Sequence, residues 1–195
     1  MTNVFYQLKI SLLHIQPEIW RSFEVPSNIT LDRLHDVIQM VMGWTDSHLH
    51  EYTINKKKYT EYPQSEEDGI EEGQFRLSDL IKRKGQKFTY LYDFGDYWEH
   101  SIVLESKSKR TELNDAFKPI LRCLDGARSC PPEDVGGIPG YMNLCESMSN
   151  KDHPEYENNI EWLGEVYDPE RIDLDEINLE LFKYERWSRD RYHSW

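Results

Sequence analysis

Positive charge is what this sequence is shortest of. Its 23 Lys and Arg stand against 36 Asp and Glu, a formal net charge of −13 at pH 7. That deficit makes nucleic acid an unfavoured partner and argues against an anionic membrane surface, since both call for a basic footprint. Cysteine is scarce too, with thiols only at Cys123, Cys130 and Cys145. An odd, sparse set suits a reducing cytoplasmic setting better than a disulfide framework, and the spacing of Cys123 and Cys130 is not that of a zinc knuckle. No run of about 18 apolar residues could span a bilayer, and Met1 to Gln7 has no basic stretch leading into an apolar one. Neither a membrane segment nor a secretory leader is therefore expected. No Gly-x-Ser-x-Gly occurs, no P-loop Lys follows Gly136-Gly137, and Asp93-Phe94-Gly95 lacks the Gly-rich and His-Arg-Asp partners of a kinase.

Aromatic residues, by contrast, make up 13% of the chain, including six Trp and twelve Tyr. A disordered acidic chain would be poor in them. At 195 residues the chain can bury a core without staples, so one domain over 1–195 is expected: an α+β core over 1–141 and a helical extension over 142–195 packed on it.

Val4, Tyr6, Leu8, Ile10 and Leu12 alternate with Gln7, Lys9 and Ser11, and beyond the turn at Gln16-Pro17-Glu18, Ile19, Arg21, Phe23 and Val25 alternate with Trp20, Ser22 and Glu24. Period two predicts two half-buried strands, a hairpin. Leu31, Leu34, Val37, Ile38 and Val41, between Thr30 and Gly43, recur at steps of three and four and predict a helix. His48, His50, Tyr52 and Ile54 read as one face of a further strand. The acid-only block at 61–72 reads as a solvated loop, and Phe75 to Ile81 as a short helical turn. Lys87 to Phe94 and Trp98 to Leu104 read as a second hairpin around Phe94-Gly95-Asp96-Tyr97. Residues 106–118 read as a loop and the Gly/Pro-dense 125–140 as ordered irregular chain. Tyr141 to Met148, Pro154 to Leu163 and a stripe of Leu174, Ile177, Leu181 and Tyr184 make the last third helical. The order predicts an α+β fold with a mixed sheet of β-grasp or α/β-roll type and a crossing helix.

An ordered set of short motifs runs through the chain: Ile19-Trp20-Arg21, Val25-Pro26, Leu34-His35, Met42-Gly43-Trp44, His48-Leu49-His50, Tyr92-Asp93-Phe94-Gly95-Asp96 with Trp98 and His100, Gly126-Ala127-Arg128, and Pro131-Pro132-Glu133-Asp134-Val135-Gly136-Gly137 with Gly140-Tyr141. From about Val4 to about Asp173 this series resembles the family named for the third open reading frame of a rhizogenic plasmid, some of whose members are labelled passenger proteins of insertion elements. The resemblance implies an α+β domain, a link to mobile elements and no established activity. Relatives often carry Cys where this sequence has Val135, so a thiol pair with Cys130 is not available here.

Chemistry points to one polar cluster. His48, His50, Asp93, Asp96, His100, Glu133 and Asp134 are the candidate ligand-site residues, and Trp44, Trp98 and Tyr141 the candidate groove aromatics. Imidazoles two residues apart on a strand lie about 7 Å apart, within reach of one divalent ion that a carboxylate could help to hold. The competing reading has His100 as a core histidine and the aspartates as turn caps. The leading functional expectation is a module that binds a protein or small-molecule ligand. The alternative is a metal-dependent hydrolase with His48, His50 and His100 as ligands and Glu133 or Asp134 as general base.

Overall fold

The structure is a computed structural model that describes residues 2–65, 67–111 and 119–192. Strands β1 (Thr2–Leu12) and β2 (Trp20–Pro26) pair antiparallel, with Leu8 opposite Phe23. Helix α1 (Leu31–Met42) follows, then β3 (His50–Ile54), β4 (Lys57–Thr60), β5 (Ile70–Glu71), a 3-10 turn at Glu72–Gln74 and α2 (Leu77–Leu80). Strands β6 (Lys87–Tyr92), β7 (Trp98–Thr111) and β8 (Arg122–Ala127) complete one eight-stranded sheet of order β5-β4-β3-β6-β7-β1-β2-β8. Only β4 and β5 run parallel, so the sheet is mixed and the fold is α+β. Helices α3 (Gly137–Ser149), α4 (Tyr156–Leu163) and α5 (Leu174–Tyr192) form the carboxy-terminal third. Among the described residues no helix is long and apolar enough to cross a membrane.

Helix α1 is what the spacing predicts. Leu31, Leu34, Val37, Ile38, Val41 and Met42 are buried along one side. They meet Leu8, Ile10, Phe23, Tyr52, Tyr90 and Ile102 from the sheet in a single core. Each such side chain contributes about 1.5–3 kcal/mol on burial, which exceeds anything the helix gains from propensity. Gly43, at φ 89°, ends the helix in the left-handed conformation that only glycine adopts without penalty. Helix α5 closes the far side. Glu185 accepts from the backbone N–H of Ile120 and Leu121, Asn178 bonds both backbone groups of Cys123, and the Tyr184 hydroxyl donates to Asp36 at 2.6 Å.

The elements depart from expectation in four places, the first being the acid block at 61–72, which reads as a solvated loop but supplies β5 and ends in a buried Glu72, because β5 pairs with β4 and Glu72 meets His50. Strand β7 continues to Thr111 through residues that read as loop, because a bulge at Gln7/Leu8 shifts the register and breaks the alternation. Strand β8 lies in a Gly- and Asp-containing stretch that the sequence reading leaves partly irregular, and it forms by pairing with β2. Helix α3 begins at Gly137, inside the Gly/Pro-dense segment.

Candidate metal-binding site

Three loops meet at one end of the central strands. The first, residues 43–49, leaves α1 and is clamped throughout. Trp44 stacks on Tyr92 at 4.9 Å between ring centres and donates its indole N–H to the carbonyl of Pro131. The backbone N–H of Asp46 donates to Gln39, and that of Ser47 donates to the Tyr92 hydroxyl. The second is the tight turn from Asp93 to Tyr97, where the Gly95 N–H donates to Asp93 Oδ1 and the Asp93 N–H donates to the carbonyl of Leu49. The third is the Gly/Pro loop before α3. Its Gly136 N–H donates to Asp96 Oδ2, and Gly137 sits so close that a Cβ there would lie 2.8 Å from the Asp96 carbonyl oxygen. Glycine is required for that approach.

His48, Asp93, Glu133 and Asp134 converge where the loops join. From His48 Nε2, Asp134 Oδ1 lies 3.1 Å away, Asp93 Oδ2 3.7 Å and Glu133 Oε2 3.8 Å. Donor atoms of His48, Asp93 and Asp134 all fall within 4.8 Å of one another. Atoms bound to one ion at about 2.0–2.2 Å sit about 3–4 Å apart, so the spacing suits a shared cation. Asp93 and Glu133 each have one oxygen tied by a hydrogen bond and the other toward His48. Asp93 Oδ1 is held by Gly95, and Glu133 Oε1 accepts from the Thr45 N–H and the Tyr92 hydroxyl. The inward atoms are not satisfied. His48 Nε2 and Glu133 Oε2 are both buried with no hydrogen-bond partner. Asp134 Oδ1 lies near His48 Nε2 but without hydrogen-bond geometry. Among the described residues, His48 is the one basic group within ion-pair range of these carboxylates. A buried polar atom without a partner costs about 1–3 kcal/mol, and two facing each other among carboxylates mark a position that a ligand completes.

Backbone strain gathers here as well. Asp46, Asp93, Tyr97 and Asp134 all have φ between 57° and 61°. Aspartate tolerates that region, but a bulky residue such as Tyr97 rarely enters it. The turn leaves Phe94 and Tyr97 exposed beside Asp93, with Leu49 exposed next to His48.

The other candidate residues lie elsewhere. His48 precedes β3, so it does not share a strand face with His50. His50 is buried, with Nε2 2.9 Å from Glu72 Oε1 and its ring stacked on His35 at 3.6 Å. On the far side of the stack, His35 Nε2 meets Asp46 Oδ1 and Nδ1 meets the Tyr90 hydroxyl, both at 2.8 Å. Burial, then the neighbouring His50, holds the His35 pKa down at about 4, and burial raises that of Glu72. His100 is wholly inside, its Nδ1 against the Tyr90 carbonyl, and burial lowers its pKa to about 4. Asp96 braces the glycine loop and does not face the cluster's centre. Trp44, Trp98 and Tyr141 are 6%, 1% and 1% exposed, core residues and not groove walls. Sequence reasoning gave Tyr92, whose hydroxyl orients Glu133, no part in the polar cluster and passed over the carboxylate of Glu72. His35 was legible in one respect: it lies on the apolar side of α1, four residues after Leu31.

The family described as "Plasmid pRiA4b ORF-3-like protein" matches residues 4–176. Among curated proteins, "Uncharacterized protein y4hQ" from Sinorhizobium fredii (strain NBRC 101917 / NGR234) is 37% identical over 175 residues, covering 88% of each chain. Among solved structures, the crystal structure of "Protein of Unknown Function MM3350" from Methanosarcina mazei Go1 superposes with a TM-score of 0.78 at 36% identity, covering 89% of this chain and 97% of that one.

Proposed function

The chain belongs to the plasmid pRiA4b ORF-3-like family, and from that premise we propose that it is a metal-dependent hydrolase centred on His48. Nε2 of His48 with Oδ2 of Asp93 and Oδ1 of Asp134 holds a divalent cation. One imidazole with two carboxylates is a mixed N/O set suited to Zn²⁺, Mn²⁺ or Fe²⁺, and three protein ligands leave coordination positions for water and substrate. A bound cation lowers the pKa of its water toward neutrality. Glu133 then serves as the general base, its free Oε2 facing that position while Thr45 and Tyr92 hold Oε1. The observation that carries the reading is the pair of buried atoms that make no hydrogen bond, His48 Nε2 and Glu133 Oε2, 3.8 Å apart beside two further carboxylates.

The binding-module reading keeps one observation of its own. Leu49, Phe94 and Tyr97 are exposed next to the cluster and offer apolar contact to a ligand whether or not it is hydrolysed.

The test is direct. Chelator-free protein titrated with Zn²⁺ and Mn²⁺ should bind one equivalent of at least one ion. An ion at 100 times its Kd should stabilise the fold by about 2.7 kcal/mol, raising Tm by about 5–10 °C. His48→Ala should abolish both effects, and Asp134→Asn, on a side chain 74% exposed, removes a ligand without disturbing packing. Absence of binding with either ion, and an unmoved Tm, would reject the reading. Binding that survives both substitutions would reject it equally.

A further inference from the structure

A chain with net charge −13 gathers a block of cations at the end of its sheet opposite His48. Lys56 and Lys57 lie at the β3–β4 turn; Lys82, Arg83 and Lys84 precede β6, Lys87 opens it, and Lys107 lies on β7. All seven are exposed. We infer that this surface docks on the phosphate backbone of double-stranded nucleic acid, without reading its sequence.

The strand order brings the segments together, because β3, β6 and β7 are neighbours in the sheet. Hydrogen bonds then fix them. Asn55 Nδ2 donates to the Leu80 carbonyl, and Gln86 Nε2 donates to that carbonyl and to Asn55 Oδ1. Gln86 Oε1 accepts from the backbone N–H of Lys82 and Arg83, and the Lys107 ammonium donates to the Lys82 carbonyl. Gly85 N–H closes the loop onto Leu104. The cations are thus carried on an ordered backbone around a hollow of about 450 Å³ lined by Leu80 and residues 82–86. Among the described residues the acids beside these segments include Glu51, Glu67, Asp79 and Asp68, the last between Glu67 and the Gly69 that packs on Lys58. Glu51 neutralises Lys58 at 2.9 Å, Glu67 borders Lys56 and Lys57, and Asp79 is exposed on α2.

The whole-chain charge does not cancel this block. Lys87 and Tyr92 are the two ends of β6, about 17 Å apart. That is twice the screening length of about 8 Å at physiological salt. The far acids therefore slow the approach more than they weaken the contact. Duplex phosphate is favoured over other polyanions by what the surface does not display. Of the exposed large apolar side chains, Leu49, Tyr62, Phe94, Tyr97, Met142, Trp162 and the rest, none lies in these segments. A single strand would want exposed rings to stack on, and a membrane would want apolar anchors.

Fluorescence anisotropy of a labelled random duplex of about 20 base pairs, titrated with the full chain, tests this. The expected result is micromolar binding at about 50 mM salt, indifferent to sequence, with log K falling against log salt at a slope of about −4 to −6. Lys82→Glu/Arg83→Glu/Lys84→Glu should weaken it at least tenfold with an unchanged circular dichroism spectrum, while Lys151→Glu should not. No binding at that salt would overturn the inference. So would binding that the triple reversal leaves intact, or an equal affinity for vesicles containing phosphatidylserine. The measurement needs no metal, so its failure leaves the reading of the His48 centre untouched.

Discussion

Two clusters of histidine and carboxylate lie within one turn of chain of each other, and they are opposite in kind. Around His50 the facing groups are paired: Glu72 holds Nε2, His35 covers the ring face, and Asp46 and Tyr90 hold His35. Around His48 the inward atoms of the imidazole and of Glu133 make no hydrogen bond. Residue type and proximity are alike in the two places; what separates them is whether the hydrogen bonds close. The closed cluster is a structural strut. It also fixes Asp46, two residues before His48, and so steadies the loop on which the open cluster depends.

The largest effect should come from breaking the strut. Glu72→Ala leaves His50 facing a hole where a buried carboxylate stood, and loss of one partner of a buried pair costs about 3–5 kcal/mol. Chemical denaturation should show that loss with or without metal. Removing a ligand from the open cluster should do the reverse: His48→Ala should cost at least 30-fold in metal affinity, about 2 kcal/mol, and leave the metal-free stability within about 1 kcal/mol of the parent. If both substitutions gave the same stability loss, the distinction between the clusters would collapse.

Acid should reach the interior histidines before it unfolds the rest. His35 and His100 have pKa values lowered to about 4, so the folded state binds fewer protons than the unfolded state, whose histidines titrate near 6.5. Their stability contribution is complete above about 6.5 and is lost as the pH falls toward 4. Asp36 works against this. Burial raises its pKa to about 6, so its penalty is present at neutral pH and is relieved on acidification. The net expectation is a loss of about 2–3 kcal/mol between pH 7 and pH 5, followed by thermal denaturation across that range. A flat profile would show that these histidines are not sealed as described. At the small end, Asp36→Asn keeps an acceptor for Tyr184 and removes the buried charge, so it should stabilise the fold by about 1 kcal/mol more at pH 7.5 than at pH 5, with the gain vanishing only near pH 4.

Much of the scaffold was legible in the residue pattern, because period two and period 3.6 are local. β1, β2, α1, β6 and the start of β7 follow from alternation and from the Leu31 to Val41 stripe. β8 was not, since a short strand with Gly126 and Asp125 takes its shape from pairing with β2. At the candidate site, composition pointed to seven polar residues, of which His48, Asp93, Glu133 and Asp134 meet at one point. His50 and His100 were grouped with them because strand alternation was extended one residue pair too far toward Trp44 and because a sequence does not show which imidazoles are paired off inside. Nor does a net charge show segregation, which is how the basic end of the sheet went unread.

The most direct measurement is anomalous diffraction from crystals grown with Zn²⁺ or Mn²⁺. The account predicts one peak at about 2.0–2.3 Å from His48 Nε2, Asp93 Oδ2 and Asp134 Oδ1, with Glu133 Oε2 beside it but outside bonding distance. A peak at His50 or at the surface acids, or no peak in crystals diffracting well at the metal edge, would contradict it.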